Sequence, residues 1–586
     1  MSVAATPELQ ALQAALLDWS KRTDSVATVR AMEQGHASPD LSVLQIIGPD
    51  EIVTSETPAQ VASAACEQLA ASLVPGPVLP TLLAALLGVP AVVGTVAVAY
   101  DNSKKLVVTR RDDGTVTVTG ETGPVLCADS AGTLVLGAGD AWFRVDPAQP
   151  GVTVTPLTAL DFSRGLASVR LDGACAEIID GLTTERVRDL AATLFAAEAA
   201  GIATWCSATA TAYAKTRRQF GKLIGEFQAI RHLCAWMSCR AERAGALAWD
   251  AARAADEEPG RHHQAAAAAA ARVLDDAVEN AKDCIQVLGG IGFTWEHDAH
   301  LYLRRALAIR ALLAGDGASG RGAAWTEERG DEGSGHLLAP ASDGANELGI
   351  GAWAIPAITL HGTQEQQDRF IAPTMNREII WCQLFSEPEA GSDLAGLRTR
   401  AVKTDGGWRL TGQKVWTSLA RQADWAICLA RTDPDVPKRQ GLSYFAVDMH
   451  ADGVEVRPLR EITGRSMFNE VFLDDVFVAD DCLIGAPGDG WKVAMSTLAT
   501  ERETIGGGDV LAQRGVHPAV RKLLGVAGRQ DDAEASLAAL GPAGAIAGPE
   551  STEFLLTRCL SIAGGTTQIL LNQVAERVLG LPKDPR

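Results

Sequence analysis

Gln383-Leu-Phe-Ser-Glu-Pro-Glu-Ala-Gly-Ser-Asp-Leu-Ala-Gly396 is the stretch on which the reading of this chain turns. Ser-Glu-Pro or Gly-Ser-Asp alone is ordinary turn chemistry. The whole string, followed later by Val415-Trp-Thr-Ser418, is far more specific. Two further motifs lie upstream, Arg217-Arg-Gln-Phe-Gly-Lys-Leu223 and Gln286-Val-Leu-Gly-Gly-Ile-Gly-Phe293. Taken singly, the glycine-rich run could be a helix terminus and Arg217-Arg218 a solvated face. Their joint occurrence makes those bland readings the weaker ones.

Around these motifs the chain runs to 586 residues, too long for one compact core. The hydrophobic share of 47% and charged share of 21% are those of an ordinary soluble protein. A net charge of −20 makes it a poor partner for nucleic acid or an anionic membrane. Abundant alanine favours long helices. The eleven cysteines have no Cys-x-x-Cys pair or cluster with His, so neither zinc nor a disulfide framework is expected. Reduced thiols and an N-terminus without a basic or apolar signal region point to the cytoplasm. Val78 to Tyr100 is uncharged and long enough to cross a bilayer until Asp101. Pro80, Gly88, Pro90 and Gly94 punctuate it, and it reads instead as a buried helix, a turn and a strand.

The fold class is α+β, mainly α, in two tandem units. Residues 1–90 form a helical domain, 91–180 a β domain and 181–315 a helical bundle. Lys105-Leu-Val-Val-Thr-Arg, Asp112-Asp-Gly and Thr115-Val-Thr-Val-Thr read as strand, turn, strand. Leu190, Leu194, Ala197 and Gly201 share one helix face. Residues 316–345, rich in Gly, Ser and acidic groups, read as a linker. The second unit repeats the order: 346–382 helical, 383–485 β, with alternation at Val454/Val456, Val471/Leu473 and Val476/Val478, and 486–586 helical. Its helical parts are short against those of the first unit.

The four motifs resemble the flavin site of the acyl-CoA dehydrogenase family, in whose ordinary members they occur once each and in the opposite order. The resemblance covers 186–315, 346–508 and 551–586 and thins over 1–180. It implies FAD as cofactor and, for each unit, a helical domain, a β-barrel-like domain and a helical bundle. Phe385, Ser386, Gly391 and Ser392 would line the flavin ring, Trp416 would lie beside it, and Ser418 matches the family's hydroxyl near N5. Arg217 and Phe220, with Gln286 and Gly290, match the elements that a partner subunit offers to the flavin's pyrophosphate and adenine. Thr566 and Gln568 fall in the late loop that also reaches the cofactor, and Ser392 and Arg502 at substrate positions. The first unit's β domain lacks the ring string and the second unit's helices lack the tail elements, so the two units together should make one complete site. No Gly-x-Gly-x-x-Gly turn follows a strand, which argues against a Rossmann flavoprotein.

Removing an α-proton from a thioester needs a carboxylate, and the family offers two positions for it. In the late loop, Ile562-Ala-Gly-Gly-Thr-Thr-Gln568, Gly564 stands at the acidic position. Gly564 could act only through its backbone N–H, by polarising the thioester carbonyl. Thr500-Glu501-Arg502 puts Glu501 on the alternative position. The competing reading of Glu501 is a surface carboxylate paired with Arg502 or a neighbour. Glu503 and Glu387 are the next candidates for the base. The first unit has Ala191 and Ala314 at the corresponding positions and should be chemically silent.

A two-unit chain with one flavin per pair resembles the subgroup acting on steroid-CoA thioesters, and its fused form the dehydrogenase for a five-carbon side chain. The expected partners are acyl-CoA, an electron-transfer flavoprotein or similar acceptor, and a second chain in a homodimer. Two rivals stand: an acyl-CoA oxidase using oxygen, and a non-enzymatic acyl-CoA-binding pseudo-dehydrogenase.

Overall fold

In the computed structural model, residues 6–89, 96–98, 106–110, 112, 115–313, 348–505 and 515–582 are described. The expected linker, 316–345, lies outside the described residues.

The first unit opens with helices, the longest being Pro7–Thr23 and Pro58–Ala71. The uncharged stretch then forms the buried helix Val78–Leu86, stops at Gly88 with φ +72°, and resumes as strand Val96–Val98. Pro80 sits at the third position of that helix, where a missing N–H costs no helical bond. One described helix, Thr184–Ala214, is long and apolar enough to cross a membrane, but 89% of its most apolar window is buried inside the protein. It also buries Asp189 and Glu198. Glu198 pairs with Arg164 of the β domain at 2.8 Å, so this helix is the spine of the first bundle.

Small residues let neighbouring helices close on that spine. Leu190, Leu194, Ala197 and Gly201 are all buried in it. A Cβ at Gly201 would stand 2.1 Å from the Glu67 carbonyl oxygen, so only glycine admits the helix Pro58–Ala71 at this spacing. The alanine run 265–271 lies in Pro259–Leu288, which packs on the spine beside Gln228–Glu257.

Between the helices lie two small sheets. Leu106–Arg110 pairs antiparallel with Val116–Glu121, Leu106 opposite Gly120, as the alternation predicts. The long strand Leu166–Cys175 carries Val116–Glu121, Val125–Leu126 and Val152–Leu157. The other sheet runs Val96–Val98, Thr133–Ala138, Ala141–Val145, Glu177–Ile178.

The second unit has helices Gly351–His361 and Gln364–Met375, then one larger sheet. Trp425–Arg431 lies in its interior, parallel to Trp381–Leu384 and antiparallel to Leu442–Asp448. Gly407–Ser418 pairs with Phe468–Ala479, and Val454–Leu459 completes that side.

The cores do not follow the sequence units. Helix Gly490–Ile505 packs through Val493 and Ala494 on the second β domain. The later part turns away: Leu537, Ala545, Phe554 and Leu555 share one apolar core with the first unit's bundle. The segment read as a single helical part, 486–586, is therefore divided between two bodies. Glu534 of the helix Pro518–Ala539 fixes this docking, accepting Lys282 at 2.9 Å and Arg310 at 3.0 Å. Burial opposes its charge, but Lys282 and Arg310 outweigh it and hold the carboxyl below its ordinary range.

Replacing Gly201 with alanine should force the two helices apart and lower stability by about 1–3 kcal/mol. Thermal unfolding of Gly201→Ala against the parent chain measures this; an unchanged melting temperature would mean the helices part without cost.

Candidate active site

The ring string begins as strand Trp381–Leu384 and leaves the sheet as a loop. A lysine that the motifs did not single out fastens that loop. Lys414 is 0% exposed, and its ammonium donates to the Phe385 carbonyl at 3.2 Å, Glu387 Oε1 at 2.8 Å and the Leu429 carbonyl at 2.8 Å. Three donors meet three acceptors, as a buried ammonium requires. Glu387 also accepts the N–H groups of Arg398 at 2.6 Å and Thr399 at 2.9 Å. Burial works against its charge, yet Lys414 and these hydrogen bonds prevail and hold it below the usual glutamate range. A carboxylate so committed is a poor proton acceptor, which removes Glu387 as a candidate base.

Gly407–Ser418, the strand that carries Lys414, changes register between Lys414 and Thr417. Trp416 sits in the bulge at φ +63°, a backbone state costly for a bulky residue. The Val415 N–H donates to the Ser386 carbonyl at 2.9 Å, tying the bulge to the ring string. The bulge aims the Trp416 indole at the first unit. It lies against Phe293, ring centroids 6.2 Å apart, and Phe468, 5.6 Å apart.

The first-unit motifs meet this loop within the same chain. Arg217 Nη2 donates to the Pro388 carbonyl at 3.0 Å, and Gln219 Nε2 to the Glu389 carbonyl at 2.8 Å. The Phe220 N–H donates to Asp393 at 3.2 Å, and the Asp393 N–H to Gln219 Oε1 at 3.0 Å. Phe220 itself has φ +54° and stays 46% exposed. Gln286 Nε2 donates to Gln568 Oε1 at 3.0 Å and to the Ser561 carbonyl at 3.2 Å, while the Ser561 hydroxyl donates back to Gln286 Oε1 at 2.7 Å. Thr566 caps the helix Thr567–Gln573, accepting the Ile569 N–H at 3.3 Å. Sequence reasoning gives Gly290 to ligand approach, but the structure gives a different reason for glycine there. A Cβ would lie 2.7 Å from Trp416 Nε1, so the glycine admits the indole.

Glu501 lies in the helix Gly490–Ile505 and is only 8% exposed. It is thus not a solvated surface carboxylate. Its Oε2 accepts Gln383 Nε2 at 3.3 Å, which brings it to the first residue of the ring string. Arg502 and Glu503 follow on the same helix, but their side chains lie outside the described residues. Gly564 has φ +59° in the late loop, and buried Lys522 donates to the carbonyls on either side of it, Ala563 and Gly565. In the first unit Ala191 is wholly buried in the core, and Ala314 lies outside the described residues.

Phe385 is buried under the loop, whereas Gly391 and Ser392 are exposed and Ser418 half-buried. A cavity of about 380 Å³ opens beside Ser418, lined also by Arg421, Met467, Phe468 and Asn469. Two buried polar atoms, Thr417 Oγ1 and Asn469 Oδ1, find no partner among the described residues. Exposed small residues, a hydroxyl, an arginine and orphaned polar atoms beside a cavity suit a polar aromatic cofactor with a phosphate tail.

The two halves are also told apart by comparison with known proteins. The description "Acyl-CoA dehydrogenase, C-terminal domain" matches residues 182–319, in the first unit, and "Acyl-CoA dehydrogenase, middle domain" matches 382–476, in the second. Acyl-CoA dehydrogenase FadE34 of Mycobacterium tuberculosis is 43% identical, over 88% of this chain and 88% of its own length. Acyl-CoA dehydrogenase IpdE1 of the same organism is 35% identical, over 53% of this chain and 96% of its own length. Among solved structures, butyryl-CoA dehydrogenase from Megasphaera elsdenii matches 53% of this chain and 95% of its own with a TM-score of 0.45 and 18% identity. The protein is an enzyme, an oxidoreductase. The chain belongs to the acyl-CoA dehydrogenase family, whose members depend on FAD.

Four polar side chains of the site escaped the sequence reading: Lys414, Lys522, Ser561 and the amide of Gln383. A lone lysine or serine has no local signal of burial, and the contacts that matter span long separations in sequence. Lys414→Met would leave Glu387 buried without its partner, costing about 3–5 kcal/mol. A depressed carboxyl contributes stability above its unfolded value, about 4.3, and loses it as pH falls through the folded value. Without Lys414, burial dominates and the loss should begin at higher pH. Melting temperatures across about pH 4–7 should show the acid limb of the variant displaced upward; coincident limbs would refute the pairing.

Proposed function

We propose that this enzyme performs FAD-dependent α,β-dehydrogenation of an acyl-CoA thioester with one flavin per chain, and that its acyl group is a five-carbon steroid side chain. The observation that supports this most directly is that, within one chain, Arg217 and Phe220 meet the ring string, Gln286 meets the late loop and Gly290 meets Trp416. When bound, FAD supplies the acceptor for the hydride leaving the β-carbon. Arg217 would pair with the pyrophosphate through charge-assisted hydrogen bonds, and the residues from Phe385 to Ser392, with Ser418, would hold the ring. Glu501, drawn out of water beside Gln383, would take the α-proton onto its carboxylate. The N–H of Gly564 would polarise the thioester carbonyl as negative charge develops there.

The substrate reading rests on the two-unit chain with one expected site, which resembles the arrangement of steroid-CoA dehydrogenases. With no carboxylate at Ala191, the first unit serves as the cofactor's second wall, and a single acyl site remains for a bulky ring system. Electrons would pass to an electron-transfer flavoprotein or similar acceptor. Pairing of two chains would restore the four units of the ordinary family assembly.

Released FAD should amount to about one per chain, and a ratio near two would sink the complementary-unit reading. Arg217→Ala should weaken FAD binding by about 2 kcal/mol, over tenfold, in a titration of apoprotein. Glu501→Gln should retain FAD and bind the thioester yet slow flavin bleaching at least about a hundredfold in anaerobic stopped flow with a five-carbon side-chain steroid-CoA. Bleaching at the parent rate would place the base elsewhere, and bleaching of the parent only by straight-chain acyl-CoA would overturn the steroid reading.

A further inference from the structure

The residue beside Glu501 is itself held by a third. Trp353 on the helix Gly351–His361 donates from Nε1 to Gln383 Oε1 at 2.8 Å. Gln383 Nε2 then donates to Glu501 Oε2 at 3.3 Å. Three elements thus converge: a helix before the β domain, the strand Trp381–Leu384, and the helix Gly490–Ile505 after it. An amide has two ends of opposite sense and could present either to a carboxylate. The indole decides between them, because it can only donate. The oxygen of Gln383 must face Trp353, and its NH2 must face Glu501.

We propose that Gln383 is a positioning residue for Glu501, its amide locked in one orientation by Trp353 so that an N–H donor always meets the carboxylate. This rests on the reading of Glu501 as the base. The donor does two things at once. It fixes one carboxylate oxygen in place. It also favours the ionised state that must accept the proton, against a burial that opposes charge. The sequence offers this arrangement no signal, since the three residues are joined only by the packing of the two helices on the sheet.

The elements packed against this helix carry Arg521, Lys522, Arg529, Asp531, Asp532 and Glu534 on Pro518–Ala539, His361 on Gly351–His361, Tyr444 and Asp448 on Leu442–Asp448, and Cys428 and Arg431 on Trp425–Arg431. His361 contacts Ser496 at 3.0 Å, Tyr444 contacts Thr497 at 3.0 Å, and Lys522 serves the late loop. Gln383→Leu and Trp353→Phe exchange neutral groups for neutral groups. They leave the field of the charged neighbours in place and change only the hydrogen bonds.

The test is the titration of Glu501 in the full chain, read without turnover. Infrared difference spectra between the parent and Glu501→Gln give the protonated carboxyl band, which is followed against pH. Gln383→Leu should move its midpoint up by about one pH unit. Trp353→Phe, which removes a hydrogen bond to Gln383 and none to Glu501, should move it in the same direction by letting the amide turn. The double variant should move it no further than Gln383→Leu alone, because Trp353 acts through Gln383. The acid limb of the flavin-reduction rate should follow the same order. If Gln383→Leu does not fold, Trp353→Phe carries the test alone. Unmoved midpoints in variants that fold overturn the proposal, as does an additive shift in the double variant. Failure of the base reading is told apart by Glu501→Gln, which would then bleach its flavin normally while the midpoints still shift.

Discussion

The indole of Trp416 resting on the backbone of Gly290 is the contact on which the composite site depends. One residue belongs to the second unit's β domain and the other to the first unit's bundle. Any side chain at 290 would push them apart, and a relaxed backbone at 416 would turn the indole away. The strain at Trp416 is held by its surroundings: Val415 bonds to Ser386, and Lys414, one residue earlier, is locked by three acceptors. Phe293 and Phe468 close around the ring. Strain of this kind persists where neighbours over-determine it, and it collects at functional sites.

Around that contact the units are also fastened through backbone groups. Ile462 N–H donates to the Phe293 carbonyl at 3.1 Å, and the Trp295 N–H to the Arg460 carbonyl at 3.0 Å. Arg304, buried beneath, donates to the carbonyls of Leu160 and Ile462, one in each unit, while stacked 4.3 Å from the centre of Phe162. Burial pulls its guanidinium down to about 10. A cation placed there forgoes its solvation in return for joining two β domains through backbone oxygens, which no change of side chain can remove. The two units are accordingly a single folded body at this seam.

This arrangement also explains why the second unit can be short. Its last helices pack into the first unit's core, so the bundle of 184–313 supplies apolar surface for both. The half-buried Glu534, claimed by Lys282 and Arg310, sets the register of that docking.

Much was legible in the sequence. The ring string, the Trp-x-Ser element and the two upstream motifs stand out because particular residue types recur there at fixed local spacings. Amphipathic alternation marked Leu106–Arg110 with Val116–Glu121, and Val454–Leu459 with Phe468–Ala479, because a strand's period is local too. Glu501 and Ala191 were singled out by position alone, and the structure shows both buried. What the sequence could not decide is whom each residue meets. That Glu387 is spent on Lys414 while Glu501 faces Gln383, that Gly290 serves Trp416, and that residues beyond 518 desert their own unit for the other's core are matters of long-range packing. Burial and hydrogen bonding between segments far apart in the chain decide them, and only the tertiary structure brings those segments together.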